Sequence, residues 1–130
     1  MPAANLVVGL RGTATLTVSD EDTATAYGSG SVSVLATPRL VALMEQAAVN
    51  AVRETLLRGE TTVGTRIDIA HLSPTPVGRT ARAEATLEAI EGRSLKFSVA
   101  AWDGDEKIGD GNHQRMVIDE ARFLQRLQRT

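Results

Sequence analysis

Apolar and polar positions first alternate at Thr13–Val18, TATLTV, where Ala14, Leu16 and Val18 interleave with threonines. A period of two rich in β-branched residues predicts a strand. SDEDT (Ser19–Thr23) breaks it as a solvated turn, TATAY resumes a strand pattern, and GSGS (Gly28–Ser31) is a flexible connector. The period then changes. After Pro38 there is no glycine or proline to about Leu57, and apolar residues recur at helical spacing. Thr37 is placed to cap this helix and Pro38 sits in its first turn. Gly59 stops it, with Arg53 and Arg58 in the last turns, where the helix dipole favours cations.

Four further strands follow. In Thr61–Leu72, Val63, Ile67, Ile69 and His71 share parity; SPTPVG (Ser73–Gly78) is a turn-rich loop. From about Arg79 to Ile90, Ala81, Ala83, Ala85, Leu87 and Ala89 face one way. EGR (Glu91–Arg93) turns into Ser94–Trp102, and DGD (Asp103–Asp105) into a last strand of about Glu106–Ile118. Asp119 can cap a short helix, Glu120–Gln128. One long helix followed by hairpin-joined strands describes an α+β fold, an antiparallel sheet with the helix on one face. Residues 1–130 read as one domain. Dimerisation is a natural way to cover what a single helix leaves open.

Glu45 interrupts the helix pattern. At about 100° per residue it shares a wedge with Val41, Ala48 and Val52, whereas Arg39, Gln46, Asn50 and Arg53 mark the solvated side. An ionised carboxylate facing a sheet must be protonated, hydrogen-bonded or paired. A slightly rotated helix would instead let Glu45 reach water or a surface arginine. His71 ends the apolar run Ile67–Ile69–His71 beside the Pro74–Pro76 loop, where a histidine is a satisfied core residue or part of a site with the inward glutamate. Thr37 adds a hydroxyl at a helix start, which favours an anion as well as a cap.

Composition narrows the classes. With 14 basic and 16 acidic side chains the net charge is −2, and only Tyr27, Phe97, Trp102 and Phe123 are aromatic, which argues against nucleic acid as a partner. The absence of cysteine excludes disulfides, thiolate metal sites and a cysteine nucleophile. MPAANLVVGLRG lacks the basic start of a signal peptide, and no run approaches the roughly 20 apolar residues of a membrane span. A soluble, cytoplasmic protein is expected. GSGS lacks the lysine of a nucleotide loop, and DGDEK puts Lys107 where a calcium loop needs oxygen. His71, His113 and Glu45 have no metal-ligand spacing, so neither a metal nor a cofactor is expected. Arg79, Arg82, Arg93 and Lys96 are candidates for coenzyme A phosphates or simply solvated strand faces. His113 and Arg115 share parity on the last strand.

Four segments together resemble the fluoroacetyl-CoA thioesterase-like family of hotdog acyl-CoA thioesterases. They are ATPRLVALMEQAAV, with Thr37 and Glu45 eight apart; GETTVGTRIDIAHLSPTPVG, with Gly64 and His71 seven apart; EGRSLKFSVAAWDGDEKIGDG; and NHQRMVI. In order and spacing the likeness covers about Leu35 to Ile118. It implies a hotdog fold, a sheet wrapped around the long helix, with active sites at the interface of a homodimer or a higher oligomer. It also implies a catalytic set of Thr37, Glu45 and His71, with Gly64 and Arg115 near the substrate. Members selective for the fluorinated substrate carry aromatic residues in the lid before the threonine. Here that segment is YGSGSVSVL, with Tyr27 at its edge and otherwise small or aliphatic residues.

The expected activity is hydrolysis of a short or small acyl-CoA. His71 would shuttle a proton and the Gly64 N–H would meet the oxyanion. Thr37 would be nucleophile or hydrogen-bond donor, and Glu45 would attack the carbonyl, orient the attacking water or hold the imidazole. The alternatives are a non-catalytic hotdog module that binds acyl-CoA or a small hydrophobic ligand, and a hotdog hydratase, whose usual motif is missing.

Overall fold

The computed structural model describes residues 5–128. The first four residues of the segment read above for a leader lie outside it. Five antiparallel strands, β1 (Arg11–Thr17), β2 (Glu60–His71), β3 (Thr80–Glu91), β4 (Ser94–Asp103) and β5 (Glu106–Asp119), form one sheet in the order β1-β3-β4-β5-β2. Ala24–Tyr27 is a short helix, α1, and the long helix α2 (Thr37–Val52) lies mainly against β1 and β3. The last helix, α3 (Glu120–Arg126), is capped by Asp119, which accepts from the Arg122 N–H at 3.0 Å. No helix among the described residues is long and apolar enough to cross a membrane.

The core is α2 on the concave face of the sheet. Leu40, Leu43, Met44, Ala47, Ala48, Ala51 and Val52 are buried against Ala81, Ala83, Ala85, Leu87, Leu95, Phe97 and Ala101. Each fully buried Leu or Met contributes about 1.5–3 kcal/mol. The alanines serve a different purpose: small side chains on both surfaces let helix and sheet approach closely. At Gly12 the approach is closest, because a Cβ there would overlap the Ala47 carbonyl and the Ala51 backbone. The buried stripe is centred on Leu40, Met44 and Ala47, so Val41 and Glu45 lie on its margin.

Local chemistry overrides four details of the periodicity. TATAY is helical, because Thr23 accepts from the Ala26 N–H at 3.2 Å and Gly28 closes the turn at φ 70°. The α-helix ends at Val52, and Thr55 donates to the Val52 carbonyl at 2.7 Å within a turn of 3-10 helix. Opposite β4, a bulge between Leu87 and Ala89 pairs Ile90 with Leu95. It turns Ile90 rather than Ala89 onto the core face. The fourth detail concerns β2. Gly64 pairs with Arg115 and Arg66 with Gln114, leaving Thr65 as an extra residue. This bulge inverts parity, so Thr62, Gly64, Ile67, Ile69 and His71 share the concave face and Val63 does not.

Candidate active site

The start of α2 and the end of β2 converge at one corner. Leu35 N–H donates to the Thr75 carbonyl at 2.9 Å and Ala36 N–H to the Asp22 carbonyl at 2.9 Å, tying the entry to the helix against two loops. Ala36 is the N-cap, and Thr37 stands at the first helical position with no capping bond from its side chain. The expected cap is therefore absent, because the hydroxyl turns the other way: Thr37 Oγ1 lies 2.7 Å from His71 Nδ1. A cavity of about 290 Å³ opens beside the pair, walled by Leu35, Leu72 and Pro74 and by Ser29 and Val34 of the preceding segment. Burial lowers the His71 pKa, and the backbone of Ser73 partly offsets it. Its Nε2 is buried without a hydrogen-bond partner among the described residues. The imidazole is thus neutral near pH 7 and hydrogen-bonded to a hydroxyl, which suits a proton acceptor.

A second cluster forms farther along the helix. Glu45 reaches toward β2, with Oε2 at 3.6 Å from Arg115 Nη1. Its side chain is 40% exposed and that of Arg115 only 8%, so both sequence readings hold part of the truth: the glutamate faces the sheet and meets an arginine, yet keeps water. Gly64 makes the space for this. A Cβ there would fall 2.7 Å from Glu45 Oε2 and 3.3 Å from Arg115 Nη1. Arg115 is fixed by Thr62, donating from Nε to Oγ1 at 2.8 Å and from Nη2 to the carbonyl at 3.1 Å, and by His113 Nε2 at 3.1 Å from Nη1.

Within one chain these clusters stay apart. Thr37 and Glu45 are eight residues apart on α2, a rise of about 12 Å along the axis. The structure therefore joins Thr37 with His71, and Glu45 with Gly64 and Arg115, and does not bring Glu45 to His71. Thr62 and His113 were not singled out as parts of this cluster. The shared parity of His113 and Arg115 was the signal for the second, and Thr62 carried none.

The sequence profile of the fluoroacetyl-CoA-specific thioesterase family matches residues 18–121. The fluoroacetyl-CoA thioesterase of Streptantibioticus cattleyicolor is 43% identical over 90 residues, 69% of this chain and 65% of that protein. The alignment thus spans slightly less than two thirds of that relative. A solved structure of the fluoroacetyl-CoA thioesterase FlK superimposes with a TM-score of 0.89 at 36% identity, covering 97% of this chain and 98% of that one. A Thermus thermophilus hypothetical protein described as a thioesterase superfamily member gives 0.86 at 25% identity, covering 96% and 95%. A hot-dog-like protein from Thermanaerovibrio acidaminovorans, at 24% identity and 0.83, shares the fold.

Proposed function

The chain belongs to the fluoroacetyl-CoA-specific thioesterase family, and from that premise we propose that it hydrolyses a short acyl-CoA thioester to free acid and CoA. The observation that carries this reading is the 2.7 Å contact between the Thr37 hydroxyl and His71 Nδ1. In the proposed path Thr37 Oγ1 attacks the thioester carbonyl as His71 takes its proton. The C–S bond then breaks and His71 returns that proton to the departing thiolate. A water, deprotonated by His71, cleaves the acyl-threonine, and the hydroxyl is restored. The Gly64 N–H, with no side chain to block approach, stabilises the oxyanion. Glu45, held beside Arg115, orients the water.

Those roles require the two clusters to meet, and we propose that a homodimer joins them. β2 is an edge strand, and its residues from Gly64 to Asp68 are all exposed. An edge of this length invites pairing. Antiparallel pairing of β2 with a second copy, about a two-fold at Asp68 and with Thr65 bulged out as it is against β5, sets Gly64 opposite the other copy's His71. Each of the two is the third paired residue from that centre.

The cavity beside Thr37 and His71 is lined by small and aliphatic side chains, which supports a small acyl group and gives no aromatic contact for selecting a fluorinated one. The gap between Glu45 and His71 in one chain favours the second reading, a module that binds acyl-CoA without turnover, should the chain stay monomeric. Thiol release from acetyl-, propionyl- and fluoroacetyl-CoA separates the two. Release that disappears in His71→Ala supports the hydrolase; measurable binding with no release supports the module.

A further inference from the structure

His113 is 1% exposed, stacks on Phe97 with ring centroids 6.1 Å apart, and does not touch the Thr37–His71 pair. Its two ring nitrogens meet groups of opposite character. Nε2 faces Arg115 Nη1 at 3.1 Å, and a guanidinium can only donate, so Nε2 must be bare. Nδ1 lies 2.7 Å from the Arg66 carbonyl, which can only accept, so Nδ1 must carry the hydrogen. Only the neutral Nδ1–H imidazole satisfies both. Arg66 directly follows the bulged residue Thr65. The irregularity that turns Gly64 and His71 onto one face thus also presents the carbonyl that sets the His113 tautomer.

We infer that His113 is a positioning residue for the proposed thioesterase: as a fixed neutral acceptor it holds Arg115 Nη1 against the Glu45 carboxylate at Gly64. The inference rests on Glu45 belonging to the hydrolytic set. Arg115 reaches four acceptors, the Thr62 hydroxyl and carbonyl, His113 Nε2 and, at 3.6 Å, Glu45 Oε2. Of these, His113 Nε2 and Glu45 Oε2 share the same Nη1. Removing the imidazole acceptor from a site this buried leaves an N–H unsatisfied, and the guanidinium turns to recover a partner, taking Glu45 with it.

The charged groups around the ring agree. Arg115 lies on its own strand and Glu45 comes from α2, while Arg66, Asp68, Glu88 and Lys96 line a cavity that includes His113 in its wall. Burial is the largest influence and lowers the His113 pKa. The Arg66 carbonyl raises it, Arg115 lowers it and Glu45 raises it.

Two measurements decide the inference. Only two histidines occur in the chain, so their imidazole nitrogens are readily assigned by 15N NMR. We expect His113 to show a protonated Nδ1 and a bare Nε2 with no titration from about pH 6 to 8. An Nε2–H tautomer, or titration near 6.5, overturns the inference even if no variant is made. In the second, acetyl-CoA turnover is compared for wild type, His113→Phe and His113→Gln. Phenylalanine keeps the stacking without an acceptor, whereas glutamine offers an oxygen to Arg115. The expected result is a fall in kcat of about 10- to 100-fold for His113→Phe with KM little changed, and recovery of most of that loss in His113→Gln. Wild-type kcat in a folded His113→Phe, or equal losses in both variants, overturns it. Absence of turnover in the unaltered protein overturns the proposed hydrolysis, and the role at Glu45 with it, whereas the NMR result judges the tautomer independently.

Discussion

Thr37 and His71 are 34 residues apart in the chain, yet the hydroxyl of one lies 2.7 Å from Nδ1 of the other. Because Ala36 occupies the cap position, this hydroxyl holds no helical N–H. Thr37→Ala should therefore separate activity from stability. Thioester turnover is expected to fall by about 10²-fold or more, while urea denaturation shifts by less than about 0.5 kcal/mol. A stability loss near 1 kcal/mol, the usual cost of a lost cap, with activity retained, would restore the capping reading.

The pH dependence of activity follows from His71. Burial disfavours the imidazolium, so the folded pKa lies below the ordinary 6.5. The neutral base then survives to lower pH than a free histidine would. The acid limb of kcat/KM should have its midpoint below pH 6.5, measured with acetyl-CoA from about pH 5 to 8. A midpoint at or above 6.5 would assign the limb to another group.

Stability should respond in the same window. The pKa values of His71 and His113 are both lowered in the folded chain. Below 6.5 the unfolded chain binds protons that the folded one refuses, and stability rises with pH where the unfolded state binds more. This contribution is complete above 6.5 and declines as pH falls from there toward the folded pKa values. Urea midpoints at pH 7.5 and 5.5 should differ, and by less in His113→Gln. Identical midpoints in the unaltered protein would contradict both shifts.

Two glycines test different levels of the structure. Gly12→Ala sets a methyl group against the backbone of α2 at Ala47 and Ala51, which no rotamer change relieves. A loss of about 3 kcal/mol or more is expected in thermal or urea unfolding. Gly64→Ala meets side-chain tips instead, 2.7 Å from Glu45 Oε2, so the fold should persist while the carboxylate moves and turnover falls by about 10²-fold. Full activity in Gly64→Ala, which keeps the backbone N–H, would remove Glu45 from the proposed mechanism.

The proposed dimer has its own test. Ile67, at 36% exposure, lies on the edge strand next to the residue at which the two-fold is placed. Ile67→Asp sets like charges against each other across that axis. Sedimentation should give about twice the 13.8 kDa chain mass for the unaltered protein, a monomer for the variant, and loss of turnover with it. A monomer that hydrolyses thioesters at full rate would show that the site closes without a second copy.

Periodicity alone was enough for the long helix, the five strands and the antiparallel α+β arrangement, because burying one face imposes a pattern on neighbouring residues. It also showed Glu45 to be out of place among apolar positions. It could not show that Gly64 and His71, an odd seven apart, share a face. That depends on one unpaired residue, Thr65, whose presence is decided by pairing with β5 and leaves no mark in the local pattern. TATAY was read as strand for a related reason: one side-chain bond from Thr23 outweighs a four-residue alternation. The direction of the Thr37 hydroxyl, the meeting of Arg115 with Glu45, and the separation of the two clusters arise from segments far apart in sequence. Local spacing cannot encode such distances; they are set by how the sheet closes over the helix.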